Sequence, residues 1–255
     1  MAEFSSYDPG TPCWVDLAST DIERSKAFYT GLFGWEAEEG GPDTGGYVMF
    51  RKDGKNVAGA MEIMMEGQPP AWMTYIAVAD ADDTVDRAKK AGATVFVEPM
   101  DVTDVGRMAV FADPTGAAIG LWQPRAHIGA DLANEPGSFC WNELQTRDTG
   151  AAKAFYAEVF GWGEHTMAGE MTYTEWRLGD KTIGGMMDMP KEVPPEMPAY
   201  WLVYFAVADC DASTAKATEL GGAALVPPTD IEPGRFSVLM DPTGATFALI
   251  RMRAA

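Results

Sequence analysis

The chain has 255 residues, 38 of them Asp or Glu and 19 Lys or Arg, for a formal net charge of −19. Apolar residues make up 47% and charged residues 22%, a globular composition, and the length suits one large domain or two ordinary ones, each large enough to bury a core of its own. Such acidity excludes nucleic acid and anionic membrane surfaces as partners, since both need clustered Lys and Arg to displace counterions.

In chain order, MAEFSSYDPG carries neither a basic stretch nor an apolar one, so no signal peptide is expected. Cys13, Cys140 and Cys210 are odd in number and form no C-x-x-C pair, which points to a reducing, cytoplasmic setting. A first strand through Cys13–Leu17 leads to a helix opened by Asp21, whose carboxylate suits the free N–H groups of a helix start. Phe28, Tyr29, Leu32 and Phe33 form one apolar stripe on that helix, and Gly34 ends it. Strands follow near Tyr47–Phe50 and Val57–Met64, joined by a turn at KDGKN. Then come Trp72–Ala79, a helix opened by Asp80, Thr94–Pro99, Arg107–Ala112, a DPTG turn and Ala117–Trp122. The apolar stretch PAYWLVYFAVA is too short for the roughly 18 residues of a membrane span.

The order then repeats. Residues 13–35 and 140–162 are identical at 11 of 23 aligned positions, including the AFY triplet and the closing FGW, and DPTG recurs at 241–244. Asp148 and Asp209 stand where Asp21 and Asp80 do. The expectation is an α+β chain of two tandem domains, 1–124 and 139–255, joined by 125–138. Each domain is made of two βαβββ modules forming a curved, cup-like mixed sheet. The two modules of a cup are either chain neighbours or exchanged between the halves.

The D-x-x-x-S/A-K-A-F-Y-x-x-x-F-G-W run and the DPTG turn before a last strand resemble the vicinal-oxygen-chelate superfamily, which includes glyoxalases, bleomycin-resistance proteins and extradiol dioxygenases. The resemblance covers both halves and implies a fold that hosts many chemistries. It also implies metal-ligand positions that can be checked singly. The first-strand position holds Trp14 and Trp141, the fifth-strand position Met73 and Leu202, and the last-strand position Gly120 and Ala248. None offers a good ligand for a divalent transition metal; Met73 is a soft thioether.

Strand alternation sends Trp14 and Asp16, with Trp141, Glu143 and Gln145, to the concave face, while Cys13 and Cys140 read as core thiols. Gly120 and Trp122 also point inward on the last strand, suggesting a cup whose metal is gone and whose wall is opened by small residues. The indoles either line a ligand or plug the cup. Tyr47, Tyr173, Tyr75 and Tyr204 are further lining residues, and Arg107 and Arg235 either clamp an anionic group or pair within the fold. Asp16 and Glu143, with Glu62 and Asp188, are duplicated acids. Asp16 and Glu143 are weak catalytic candidates, as a metal-free base or as oxygen ligands of Mg²⁺ or Ca²⁺. The leading expectation is a binding protein for an aromatic or amphipathic small molecule that needs no cofactor, with a divalent metal at a non-standard carboxylate site as the alternative. The alternative functions are a lyase, dioxygenase or hydroxylase on the same fold, or a degenerate cup with a macromolecular partner. Monomer and homodimer both fit.

Overall fold

The computed structural model describes residues 3–41, 44–63, 67–167, 172–191 and 193–253; Met64, the end of the expected Val57–Met64 strand, lies outside them. The first half runs β1 (Pro12–Ser19), α1 (Ile22–Phe33), β2 (Glu36–Glu39), β3 (Val48–Lys52), β4 (Lys55–Glu62), β5 (Ala71–Ala77), α2 (Ala81–Lys90), β6 (Thr94–Val102), β7 (Gly106–Ala112) and β8 (Ala118–Pro124). The second half runs β9 (Phe139–Thr146), α3 (Thr149–Phe160), β10 (Gly163–Met167), β11 (Tyr173–Leu178), β12 (Lys181–Asp188), β13 (Tyr200–Ala206), α4 (Cys210–Glu219), β14 (Ala223–Ile231), β15 (Gly234–Met240) and β16 (Thr246–Met252).

All four helices start on an Asp that accepts a hydrogen bond from the backbone N–H three residues on: Asp21, Asp80, Asp148 and Asp209. Gly34 and Gly161 end α1 and α3 in the left-handed region, at φ 71° and 69°, which a Cβ would strain.

The strands form two open eight-stranded mixed sheets, ordered β2-β3-β4-β1-β5-β8-β7-β6 and β10-β11-β12-β9-β13-β16-β15-β14. Two βαβββ modules that are neighbours in the chain therefore build each sheet, through the antiparallel pairs β1–β5 and β9–β13. Among the described residues, no helix is long and apolar enough to cross a membrane.

The cores do not follow the halves, which corrects the expectation of one core per domain. One core joins Val15, Leu17, Phe28, Tyr29 and Phe50 of the first half to Phe205, Leu239, Phe247 and Leu249 of the second. The other joins Ile76, Phe111, Ile119 and Leu121 to Phe155, Tyr156, Trp162 and Trp176. A smaller cluster of Leu202, Tyr204, Ala248 and Ile250 stands apart from both on the second sheet.

The repeated sequence motifs close this seam reciprocally. Tyr29 of the first AFY donates its hydroxyl to Asp241 of the second DPTG turn at 2.9 Å, and Tyr156 of the second AFY donates to Asp113 of the first at 2.8 Å. Trp72 and Trp201 each donate an indole N–H to that same tyrosine oxygen, at 2.9 Å. The tryptophans of the two FGW triplets also reach beyond their own half, Trp35 to the carbonyl of Gly137 in the joining segment and Trp162 to that of Gly10, both at 2.8 Å. Each aspartate also accepts three local bonds through its other oxygen, two of them from backbone N–H groups. A buried carboxylate so fully hydrogen-bonded is a fixed part of the scaffold.

Candidate functional site

Strand register decides which side chains meet in each hollow, because directly paired residues share a face. In the first hollow Trp14 pairs with Tyr75, Asp16 with Gly59 and Met73, Tyr75 with Gly120, and Met108 with Trp122. Trp14 donates its indole N–H to the Tyr47 hydroxyl at 2.9 Å, and that hydroxyl donates to Asp16 at 3.3 Å. Asp16 is buried, and burial pushes its carboxyl up to about 7 against the opposing pull of the Tyr75 and Tyr47 hydroxyls.

The second hollow repeats this plan with more polar members. Trp141 donates to the Tyr173 hydroxyl at 2.9 Å, and Tyr173 donates to Glu143 at 2.9 Å. Glu143 also accepts from Tyr204 at 3.0 Å and from the Gln145 amide at 3.2 Å, and Tyr200 donates to Gln145 at 2.8 Å. Burial raises the Glu143 carboxyl above its ordinary range, while these donors pull it down.

Of the sequence-predicted residues, Trp14, Asp16, Tyr47, Tyr75, Gly120 and Trp122 come together in the first hollow, and Trp141, Glu143, Tyr173 and Tyr204 in the second. Others do not join them. Arg107 pairs with Gln123, next to the concave pair Met108–Trp122, so it lies on the opposite face. There it bonds Asp82 at 2.7 Å and Asp101 at 3.0 Å. Arg235 repeats this with Asp211 at 2.6 Å and Asp230 at 3.2 Å. Both arginines tie the edge hairpin to the first turn of a helix and are no part of an anion clamp. Glu62 and Asp188 sit at strand ends and are exposed. Nor does Gly120 open the wall: a Cβ there would overlap the Tyr75 ring, which fills the space the small residue leaves. Gly59 makes the same room for the Tyr47 hydroxyl, and Gly185 for that of Tyr173. Cys13 is buried, and burial pushes Cys140 up to about 12, so neither is a nucleophile.

Sequence reasoning missed three residues. Tyr200 follows from its pairing with Gln145, which the concave alternation had already placed. His127 and the segment around it carried no periodic signal. The imidazole packs edge-on against Trp14 and Trp122, with ring centroids 4.6 and 5.5 Å away, and burial pushes it down to about 4. Glu175 shares a face with Gly185 and hence with Glu143, where it pairs with Arg177 at 2.7 Å.

The residues at the expected metal positions do not fit a divalent cation. The indoles at Trp14 and Trp141 already donate to tyrosines, the ring of Tyr75 covers Gly120, and Leu202 and Ala248 have no donor atom. Among the described residues no three His, Cys, Asp or Glu side chains converge as a metal cluster elsewhere either.

The family described as Glyoxalase/Bleomycin resistance protein/Dioxygenase superfamily matches residues 13–121, and one described as a glyoxalase-like domain matches residues 141–250. The chain belongs to this superfamily, in two tandem copies. A Mycobacterium tuberculosis protein named "Putative glyoxylase CFP32" is 44% identical over 259 residues, covering 98% of each chain. The anthracycline biosynthesis protein DnrV of Streptomyces peucetius is 40% identical over 263 residues, covering 97% of this chain and 95% of its own. Among solved structures, the Mn(II)-bound glyoxalase from Novosphingobium aromaticivorans superposes with a TM-score of 0.67 at 16% identity, over 95% of this chain and 82% of that one. The 2,3-dioxygenase LapB from Pseudomonas sp. KL28 gives 0.67 at 13% identity, over 96% and 92%. At such identities the superpositions speak for the fold, and superfamily membership brings with it the binding of small molecules as a general property.

Proposed function

We propose that this superfamily member binds a planar aromatic or amphipathic small molecule in an outward-facing hollow, without a metal ion. One observation carries the reading: where metal ligands belong, each half has an indole that donates to a tyrosine, which in turn donates to a buried carboxyl. Indole and phenol faces give a flat ligand large contact area at little entropic cost, and the few polar atoms orient it. The similarity to a protein named for anthracycline biosynthesis fits a polycyclic aromatic ligand. The three free cysteines fit a cytoplasmic protein, and the seam between halves supplies internally the pairing a dimer would otherwise provide.

Titration of the purified protein with hydroxyanthraquinones tests this. Saturable quenching of tryptophan fluorescence, unchanged after exhaustive treatment with a chelator, is the expected result. Stoichiometric metal that survives dialysis and is needed for binding would overturn it.

A second reading rests on Asp16, which titrates close to neutrality and so suits proton transfer. An enzyme of this kind would convert the bound aromatic to a product, and both Asp16→Asn and Glu143→Gln would slow that conversion while sparing affinity. If the recovered ligand is chemically unchanged after long incubation, the binding reading stands alone.

A further inference from the structure

Resting on the small-molecule reading above, we infer that the second hollow is the single ligand site of the chain and takes a planar aromatic that donates hydroxyl hydrogen bonds from one edge. The first hollow is closed by the protein itself.

The closure is built from the segment that follows β8. Trp14 and Trp122 are 3% and 6% exposed, and the His127 ring stands edge-on to both. Trp122 donates its indole N–H to the His127 carbonyl at 2.8 Å. Three residues on, the Ala130 N–H donates to the Cys13 carbonyl at 2.8 Å, while the Ala130 carbonyl accepts from the Tyr7 hydroxyl at 2.8 Å. The imidazole Nε2 is buried and has no partner, so the ring is held there by packing, as a stopper would be.

The second hollow lacks this stopper among the described residues. Ile250 occupies the position of Trp122, as its pairing with Ala206 corresponds to that of Trp122 with Ala77. Trp141 is left partly exposed where its counterpart Trp14 is buried, while Tyr173, Met187 and Phe236 are partly exposed like their counterparts Tyr47, Met61 and Met108. The copies also differ at the polar end. Ala71 pairs with Ala18 in the first hollow, whereas Tyr200 pairs with Gln145 in the second.

The ligand class follows from donor and acceptor arithmetic. A tyrosine hydroxyl has one proton to give and two lone pairs. In the second hollow Tyr173 and Tyr204 give their protons to Glu143, and Tyr200 gives its own to Gln145. The protons are committed, while Tyr200 and Tyr204 keep lone pairs free. The hollow therefore offers acceptors and selects a ligand with phenolic O–H donors. The net charge of −19 agrees, since it disfavours an anion and tolerates a neutral phenol.

The test is calorimetric titration of the full chain, in neutral buffer, with a dihydroxyanthraquinone bearing free outer-edge hydroxyls and with its dimethyl ether. The expected result is one probe per chain and a preference for the dihydroxy compound of about tenfold, the usual scale for a hydrogen bond left unmade in a site built for it. Tyr200→Phe, which would lose one acceptor oxygen, should shrink that preference. Ile250→Trp, which gives the second hollow the indole of the first, should abolish binding while the far-UV circular dichroism stays native. Should Ile250→Trp misfold, Tyr200→Phe still decides the matter. Two probes per chain, an ether that binds as well as the phenol, or a folded Ile250→Trp with wild-type affinity would overturn the inference and leave the small-molecule reading standing. Absence of saturable binding by either probe would overturn both.

Discussion

The seam between the halves and the two outward hollows have diverged to different degrees. Across the seam the copies match nearly atom for atom: Tyr29–Asp241 mirrors Tyr156–Asp113, and Trp72 mirrors Trp201. In the hollows they part, with Trp122 against Ile250, Ala18 against Gln145 and Ala71 against Tyr200. The sheet's buried face is constrained by packing, where a lost methylene already matters, whereas its open face is constrained only by what it holds.

The comparison is open to several breaks, the largest first. Residues 1–124 or 125–255 expressed alone would expose half of each shared core, and neither is expected to give a cooperative thermal transition; co-expressed, they should copurify as a folded pair. A half that melts sharply by itself would show the seam to be dispensable. Next, Asp241→Ala and Asp113→Ala each remove a buried acceptor of four hydrogen bonds and should cost about 3–5 kcal/mol in urea unfolding, equally within error. Unequal costs would mean that the seam is less symmetric in energy than in geometry.

In the first hollow, the raised Asp16 carboxyl makes the folded state hold a proton that the unfolded state releases. Stability should therefore fall as pH rises from about 4, the unfolded value, to about 7, by at most roughly 4 kcal/mol. Asp16→Asn should flatten that fall in pH-dependent melting curves. An unchanged slope would place the titration elsewhere. The smallest effect is expected at Arg107→Ala: its ion pairs lie at the surface on the face away from the hollow, so ligand affinity should match the wild type.

Much of this architecture was legible in the sequence, because it is local. A capping Asp, a terminating Gly and a two-residue alternation act within a few positions, so the four helix starts and the facing of Trp14, Asp16, Trp141 and Glu143 could be read directly. Arg107 was left open between an anion clamp and a pair within the fold, although the same alternation, applied from Trp122 through its partner Met108, puts it on the other side. Gly120 was misjudged for a different reason: the space a missing side chain leaves is filled by whichever neighbour reaches it, here Tyr75 from the adjacent strand. The shared cores were out of reach, since Tyr29 and Asp241 lie 212 positions apart and nothing in either motif names its partner. The stopper at His127 was hidden similarly, in a connection whose residues follow no period.

The crossed tyrosine–aspartate bonds bear on how the two copies can change with time. Each repeat completes its twin, so a lineage cannot discard one of them even after its own concavity has ceased to serve. A copy kept for the sake of its sibling is free to drift on the outside. Duplication followed by fusion can in this way separate support from recognition within a single gene product.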